Sequence, residues 1–405
     1  MAGRDAPGGS GVAVAFDLKA IQAELTRRGL DGWLLYDFHH RDPLAYRILG
    51  LPSGMVTRRW YYFIPAAGTA QKLVHRIESG RLEPLPGEKH EYAAWGEQRE
   101  KLKKLLGTAK NVAMQYSPLN AIPYVSLVDA GTVELVRSCG VEVVTSADLV
   151  QRFEARWSPA QLETHRAAGR IIDDVRRQAF ERIATAVKNK EKLTEYAVQQ
   201  WILEQFAARG LTTDDPPIVG VNESSGNPHF EPRPENPRPV TQGDWVLLDI
   251  WGKLKQPGAV YYDITWVGYV GGVPPARYNQ VFEVVRAARD AAVEFVAKAV
   301  ARGENIRGYQ VDDVARGVIR QHGYGEAFVH RTGHSIGEQV HSTGANMDNL
   351  ETHDEREIIP GTCFSIEPGI YGPEFGVRLE VDVYVDERSA GVTGEVQKEI
   401  VRILG

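Results

Sequence analysis

A chain of 405 residues is longer than one ordinary hydrophobic core serves, so two domains are expected. Hydrophobic residues at 43% and charged residues at 25% are those of a globular protein, and a formal net charge of -6 offers no basic footprint for nucleic acid. Its two cysteines, Cys139 and Cys363, lie far apart without a CxxC spacing, which excludes a disulfide framework or a cysteine-rich zinc site and fits a reducing, cytoplasmic compartment.

Residues 1–15 carry no long apolar run after their charges and read as a disordered leader, not a signal peptide. The glycines at 8–11 follow no strand, so they make no phosphate loop. Nowhere do about 18 apolar residues run together, so no membrane span is expected. From 16 to 156 short strand-like runs (32–36, 60–65, 71–77, 111–115, 141–145) alternate with helical ones (18–28, 97–106, 121–137), which predicts an α/β domain with a mixed sheet. At Arg156-Trp-Ser-Pro the pattern changes. Ser158 is a helix N-cap and Pro159 a first-turn proline for a long helix, so the second domain is placed at 157–405.

That second part holds a faint internal duplication. One helix pair starts near Ser158 and Thr194, and another near Pro275 and the Gly303–Gly308 turn, each with helix starts roughly 35 residues apart. Each pair precedes a strand region, and each strand region carries two carboxylates. The four are Asp249 in Trp245-Val-Leu-Leu-Asp-Ile-Trp251, Asp263 in Val260-Tyr-Tyr-Asp-Ile-Thr-Trp266, Glu367 in Cys363-Phe-Ser-Ile-Glu367 and Glu380 in Val377-Arg-Leu-Glu-Val-Asp-Val383. An ionised carboxylate in an apolar strand costs on the order of several kcal/mol unless it is paired or bound to a metal. Along 377–385 the odd positions are all apolar, while Arg378, Glu380, Asp382 and Tyr384 share the other face. Asp249 shares its face with Trp245, Leu247 and Trp251, and Asp263 with Tyr261 and Thr265. Pseudo-two-fold symmetry would bring both pairs to one axis. With His330, His334 and His341 lying between the pairs, the pattern calls for a shared cation. Oxygen-rich ligation with one imidazole suits Mn²⁺, Co²⁺ or Fe²⁺, with Zn²⁺ an alternative.

The segment His330-Arg-Thr-Gly-His334-Ser-Ile-Gly, followed by Gln339-Val-His341, resembles the HxxGHxIG…VH motif of the pita-bread metallopeptidases. That family includes Xaa-Pro aminopeptidases, Xaa-Pro dipeptidases, methionine aminopeptidases and the metal-free creatinases. Ile366-Glu-Pro-Gly-Ile-Tyr371 resembles its IEPGxY strand, Arg378-Leu-Glu380 its RxE strand, and Asp249 and Asp263 its paired aspartates. The resemblance implies an α+β chain: a pita-bread catalytic domain of duplicated halves, preceded by a creatinase/prolidase-like α/β domain. It further implies two divalent ions, Mn²⁺ first, on Asp249, Asp263, His334, Glu367 and Glu380. A hydroxide between the ions would be the nucleophile and Glu367 the general base. By the same resemblance His229 and His341 would bind the scissile region, His330 and Tyr371 would line the pocket beyond the cut, and Arg378 would orient the carboxylates.

Three departures stand out. Asp249 and Asp263 are 14 apart, three more than the common family spacing, which predicts a longer hairpin at 253–258. Ser335 replaces a usual glycine, and Val381 a usual acid. The activity implied is hydrolysis of the Xaa-Pro bond at the N-terminus of dipeptides or short peptides, by a homodimer. Dipeptidase and aminopeptidase both stay open, as does the residue preferred before proline. The alternatives are a creatinase-like hydrolase of a non-peptide C–N bond and a non-catalytic binding protein of the same fold. His39, His40, His75, His90, His165, His322 and His353 are read as ordinary.

Overall fold

The computed structural model describes residues 16–52 and 54–405; the leader expected at 1–15 lies outside the described residues. The chain divides into two compact units between Ala155 and Arg156.

In the first unit the helices are α1 (Leu18–Arg27), α2 (Pro43–Leu49), α3 (Trp95–Leu106), α4 (Ala130–Arg137) and α5 (Ala147–Val150). The strands β1 (Gly32–Asp37), β2 (Trp60–Pro65), β3 (Gln71–His75), β4 (Glu88–Tyr92), β5 (Asn111–Met114) and β6 (Glu142–Thr145) form one mixed sheet in the order β4-β3-β2-β1-β5-β6. Apolar clusters cover both faces: one around Trp33, Leu35, Trp60 and Tyr62, the other around Leu34, Tyr61, Leu102 and Val112. That is the period of two expected of strands buried on both sides. The helix expected at 121–137 is shorter. Pro123 removes a donor and pushes Ile122 out of the helical region, so a 3₁₀ turn forms there instead. The α-helix begins at Ala130, where Asp129 accepts from the Thr132 amide at 2.9 Å. Strand β4, Glu-Lys-His-Glu-Tyr, has almost no apolar pattern and sits at the sheet edge, where charges guard against stray pairing.

The second unit opens on α6 (Pro159–Lys188), whose Ser158 and Gln161 form a reciprocal capping box, followed by α7 (Glu195–Ala208). Strands β7 (Leu211–Thr212), β8 (Ile218–Val221), β9 (Trp245–Leu254) and β10 (Tyr262–Tyr269) come next. The second helix pair, α8 (Ala276–Ala301) and α9 (Gly308–Gln321), precedes β11 (Ser335–Ile336), β12 (Cys363–Ile366), β13 (Gly369–Tyr371), β14 (Gly376–Arg378), β15 (Val381–Val385), β16 (Ala390–Val392) and β17 (Val401–Arg402). So helix pair then strands occurs twice in this unit. One sheet runs β17-β10-β9-β7, with β8 also on β9; another runs β11-β12-β15-β16, and β13 pairs with β14. The first helix pair buries Ile172, Val175, Ile202 and Phe206 against Leu248, Ile250 and Ile264, while the second buries Phe282, Val285, Val311 and Ile319 in the cluster holding Phe364 and Val383. Among the described residues no helix is long and apolar enough to cross a membrane.

Candidate metal centre

Strands β9 and β10 pair antiparallel with Asp249 opposite Thr265 and Asp263 opposite Trp251, which sets both aspartates on one face of the hairpin. Of the hairpin expected at 253–258, Lys253 and Leu254 instead extend β9 to pair with β7, and only the rest lie in the connection to β10, where Gly258 takes φ +74; Asp263 keeps its place in the ladder. The other sheet meets this one at Glu380, whose amide donates to the Thr265 carbonyl at 3.2 Å. Thr265 Oγ1 in turn donates to Glu380 Oε2 at 2.8 Å. Glu367, just past β12, is anchored through its amide to the Thr332 carbonyl at 2.7 Å.

His334 is locked to β12 on both sides. Its amide donates to Ser365 Oγ at 2.9 Å, and the Ser365 amide donates to its carbonyl, also at 2.9 Å. This approach explains the glycine of the His330–His334 motif: a Cβ on Gly333 would overlap the Ser365 carbonyl oxygen. Gly333→Ala is therefore expected to force β11 from β12, lowering stability by roughly 1–3 kcal/mol or more and weakening divalent-ion binding. Thermal melts and Mn²⁺ titration of that variant check this.

Asp263, His334 and Glu380, all buried, offer ligand atoms within 4.8 Å of one another. His334 Nε2 lies 3.7 Å from Asp263 Oδ2 and 3.3 Å from Glu367 Oε1. Its Nδ1 faces the Ser335 carbonyl at 3.3 Å, which assigns the proton to Nδ1 and leaves the Nε2 lone pair facing carboxylate oxygens. Burial, with His341 and Arg331 adding, holds the His334 pKa well below its usual value, so the ring is neutral. A neutral lone pair among carboxylates is an arrangement that a cation resolves. Burial and mutual repulsion push Asp263 and Glu380 well above the carboxylate range, burial raises Asp249, and Glu367 rises to about 7 against the pull of Arg378. Asp263 Oδ1 is buried and receives no hydrogen bond. Four acids and one imidazole with such an orphaned oxygen fit hard divalent ions.

Asp249 and Glu367 line the same cavity of about 460 Å³, as do His229, His330, His341 and Arg378. Arg378 reaches Asp249 Oδ2 through Nη2, Thr265 Oγ1 at 3.1 Å through Nε, and both the Pro228 carbonyl and the Tyr371 hydroxyl at 3.2 Å through Nη1. Burial opposes its charge, but Asp249, Tyr371 and the glutamates outweigh it and raise its pKa. Tyr371 stands behind the cavity wall, bonding His330 Nε2 at 2.7 Å. His330 Nδ1 lies 2.7 Å from the Arg331 carbonyl, so both ring nitrogens are engaged within the protein and His330 offers the cavity a ring surface. The His341 ring packs edge-on to His334 at 4.3 Å, and His229 lies exposed at the cavity rim. Trp251, Ile218, Phe230 and Val340 supply an apolar wall.

Several residues unremarked in the sequence brace this site. Asp312 on α9 accepts from the Thr332 amide at 2.9 Å and hydroxyl at 2.7 Å. Its partner Arg316 donates to the carbonyls of Phe328 at 3.0 Å and His330 at 2.8 Å. Together they hold the segment leading into His334. Their spacing of four on a helix face otherwise made by Val311, Ala315 and Ile319 was the available signal.

The sequence profile of metallopeptidase family M24 matches residues 163–387. The chain is 30% identical over 268 residues to a protein of Mycobacterium tuberculosis named probable dipeptidase PepE, covering 66% of each chain. It is 31% identical over 235 residues to the Xaa-Pro dipeptidase of Lactobacillus helveticus, covering 58% of each. The aligned sequence thus spans just under two thirds of these relatives or less. Among solved structures, dipeptidase PepE from Mycobacterium ulcerans superposes with a TM-score of 0.66 at 26% identity, covering 95% of this chain and 96% of that one. A dipeptidase from Pyrococcus horikoshii gives 0.60 at 26% identity, covering 95% and 99%. The fold is the α+β pita-bread fold of these enzymes.

Proposed function

The chain belongs to metallopeptidase family M24, and from that premise we propose that it is a dinuclear exopeptidase cutting the Xaa-Pro bond at the N-terminus of dipeptides or short peptides. One observation carries the reading: a neutral His334 Nε2 points into Asp263, Glu367 and Glu380 inside a part-apolar cavity. The relatives named as Xaa-Pro dipeptidases support the proline preference.

Asp249, Asp263, His334, Glu367 and Glu380 would hold two divalent ions, Mn²⁺ first. Such ions supply a water of lowered pKa and a Lewis acid for the scissile carbonyl. Glu367 takes the proton from the attacking water and returns it to the departing nitrogen. Ser365 Oγ, donating to Glu367 Oε1 at 3.1 Å, keeps that carboxylate turned toward the cavity. His229 and His341 donate to the substrate carbonyl oxygen as it gains charge. Trp251, Ile218 and Phe230 exclude water around the proline ring. The expected assembly is a homodimer, read by light scattering at micromolar concentration.

The test is to strip the protein with a chelator, restore Mn²⁺, and assay Ala-Pro and Ala-Pro-Ala. Proline released from Ala-Pro alone marks a dipeptidase; alanine released from Ala-Pro-Ala marks an aminopeptidase. Silence on both, with metal bound, contradicts the reading.

The carboxylates also set a pH dependence. A carboxyl whose folded pKa exceeds its unfolded value stabilises the fold at low pH and loses that contribution as pH rises through the folded pKa. Glu367 moves from 4.5 to about 7, and Asp263 and Glu380 lie well above 3.8 and 4.5. The buried neutral histidines have the opposite sign, but their contribution is complete above their unfolded value of 6.5. Above the unfolded histidine value of 6.5, the melting temperature of chelated protein is therefore expected to fall with rising pH until the raised carboxyls have ionised. Saturating Mn²⁺, which binds the deprotonated ligands, is expected to remove or reverse that slope.

A further inference from the structure

Between α6 and the start of β10 lies a buried polar cluster made by His165, Asp382 and Thr393. His165 is fully buried, with its ring between those of Trp157 and Tyr262 at centroid distances of 5.0 and 5.2 Å. Its Nδ1 is 2.6 Å from the Tyr261 carbonyl oxygen, an atom that only accepts, so Nδ1 carries the proton. Nε2 then accepts the Thr393 hydroxyl at 2.7 Å. Asp382, 1% exposed, accepts the Asp263 amide at 2.8 Å and lies 3.9 Å from His165 Nε2. The Thr393 amide closes the cluster on the Asp382 carbonyl at 3.0 Å.

These bonds converge on the two segments that carry metal ligands. Tyr261 is two residues before Asp263, and its own amide donates to the Gly337 carbonyl at 2.9 Å. The Trp157 indole, against which His165 packs, donates to the Ile336 carbonyl at 3.2 Å. Ile336, in β11, and Gly337, just past it, follow His334. Trp157, His165 and Tyr261 thus make one wall joining the Asp263 strand to the His334 strand. A core histidine with both nitrogens satisfied would by itself need no further reading. Here its two partners are the backbone beside one ligand and the threonine tied to Asp382, two residues past another.

We propose that His165 is a positioning residue for the metal centre: by holding the Tyr261 carbonyl it fixes the distance between Asp263 and His334, and so sets the affinity of the ligand set for divalent ions. This rests on the metal-site reading above.

The test is calorimetric titration of the chelated full chain with Mn²⁺, alongside melts of the metal-free protein. Asn places its amide nitrogen near the Nδ1 position, Gln near Nε2, and Leu supplies neither. His165→Gln and His165→Leu are expected to weaken Mn²⁺ binding by about 10–100-fold, while His165→Asn stays within about threefold of wild type. All three variants lower the metal-free melting temperature. Unchanged Mn²⁺ affinity in the Gln and Leu variants, with the same loss of melting temperature, would make His165 merely structural and overturn the proposal. Equal weakening in the Asn and Gln variants would overturn the role given to Nδ1. Should the Leu variant not fold, the Asn and Gln pair decides alone. A wild-type protein that binds no Mn²⁺ removes the metal-site reading and this proposal together, whereas binding by wild type with unaltered variants removes this proposal only.

Discussion

Asp263→Asn is expected to raise the melting temperature of the metal-free protein while abolishing divalent-ion binding and catalysis. The two effects share one cause. Asp263 is raised far above the carboxylate range by burial first, and then by Asp249, Asp382 and Glu367. Its Oδ1 receives no hydrogen bond. An amide has the same shape and no charge, so it relieves the repulsion and can donate to a neighbouring carboxylate. It also removes a ligand from a set that the ions require. Activity should fall by on the order of 10³-fold or more, the scale of removing a group that stabilises transition-state charge. With excess Mn²⁺ the stability order reverses, because wild type gains binding free energy and the variant does not. Melts with and without Mn²⁺ and the rate of proline release check both halves. A metal-free Asp263→Asn protein less stable than wild type would show that repulsion does not dominate there.

Arg378→Met should act in the opposite direction, destabilising the metal-free protein strongly. Arg378 is the guanidinium set among Asp249, Glu367 and Glu380, and it holds Asp249, Thr265, Pro228 and Tyr371 at once. Removing one partner of a buried pair leaves an uncompensated charge, at about 3–5 kcal/mol. For a unit of this size that is a drop of roughly 10 °C in melting temperature. Methionine keeps much of the volume, so the loss reports charge and hydrogen bonds more than packing. Arg378→Lys should recover only part of it, because one ammonium cannot span four partners. Catalysis falls in both variants as Asp249 and Tyr371 lose their orientation. An Arg378→Met protein as stable as wild type in chelator would mean that the acids are protonated and need no cation.

Much of the centre was legible because strand periodicity is strict. With a period of two, Arg378, Glu380 and Asp382 had to leave the apolar face of 377–385, and the structure places all three among buried polar groups. The same alternation put Asp249 on the face of Trp251 and Asp263 on the face of Thr265, and the register the structure adds sets those four residues on one side of the hairpin. Local signals also placed α6, since its N-cap Ser158 and first-turn Pro159 are adjacent in sequence. Long-range partners carry no such signal. Arg316 meets His330 across 14 residues, and His165 meets Tyr261 across 96, so the helix spacing that turns Arg316 inward does not say what it meets, and His165 looks like an ordinary helical residue until the chain is folded. The segment 121–137 misled for another reason: its apolar residues are spaced like one helix throughout, but Pro123 keeps the first half out of it and the helix starts only at Ala130. Strand β4 was invisible because it is held by backbone pairing to β3 and not by apolar side chains.

The central claim, that five side chains gather to bind divalent ions, is tested most directly by equilibrium titration of chelated wild-type protein with Mn²⁺ near pH 7.5, chosen to lie above the ~6.5 reference value of histidine, with ion content measured after gel filtration. Two ions retained per chain, with proton release on binding and a rise in melting temperature, is the expected result. A chain that retains none, and whose melting temperature does not respond to Mn²⁺, Co²⁺, Fe²⁺ or Zn²⁺, would contradict it.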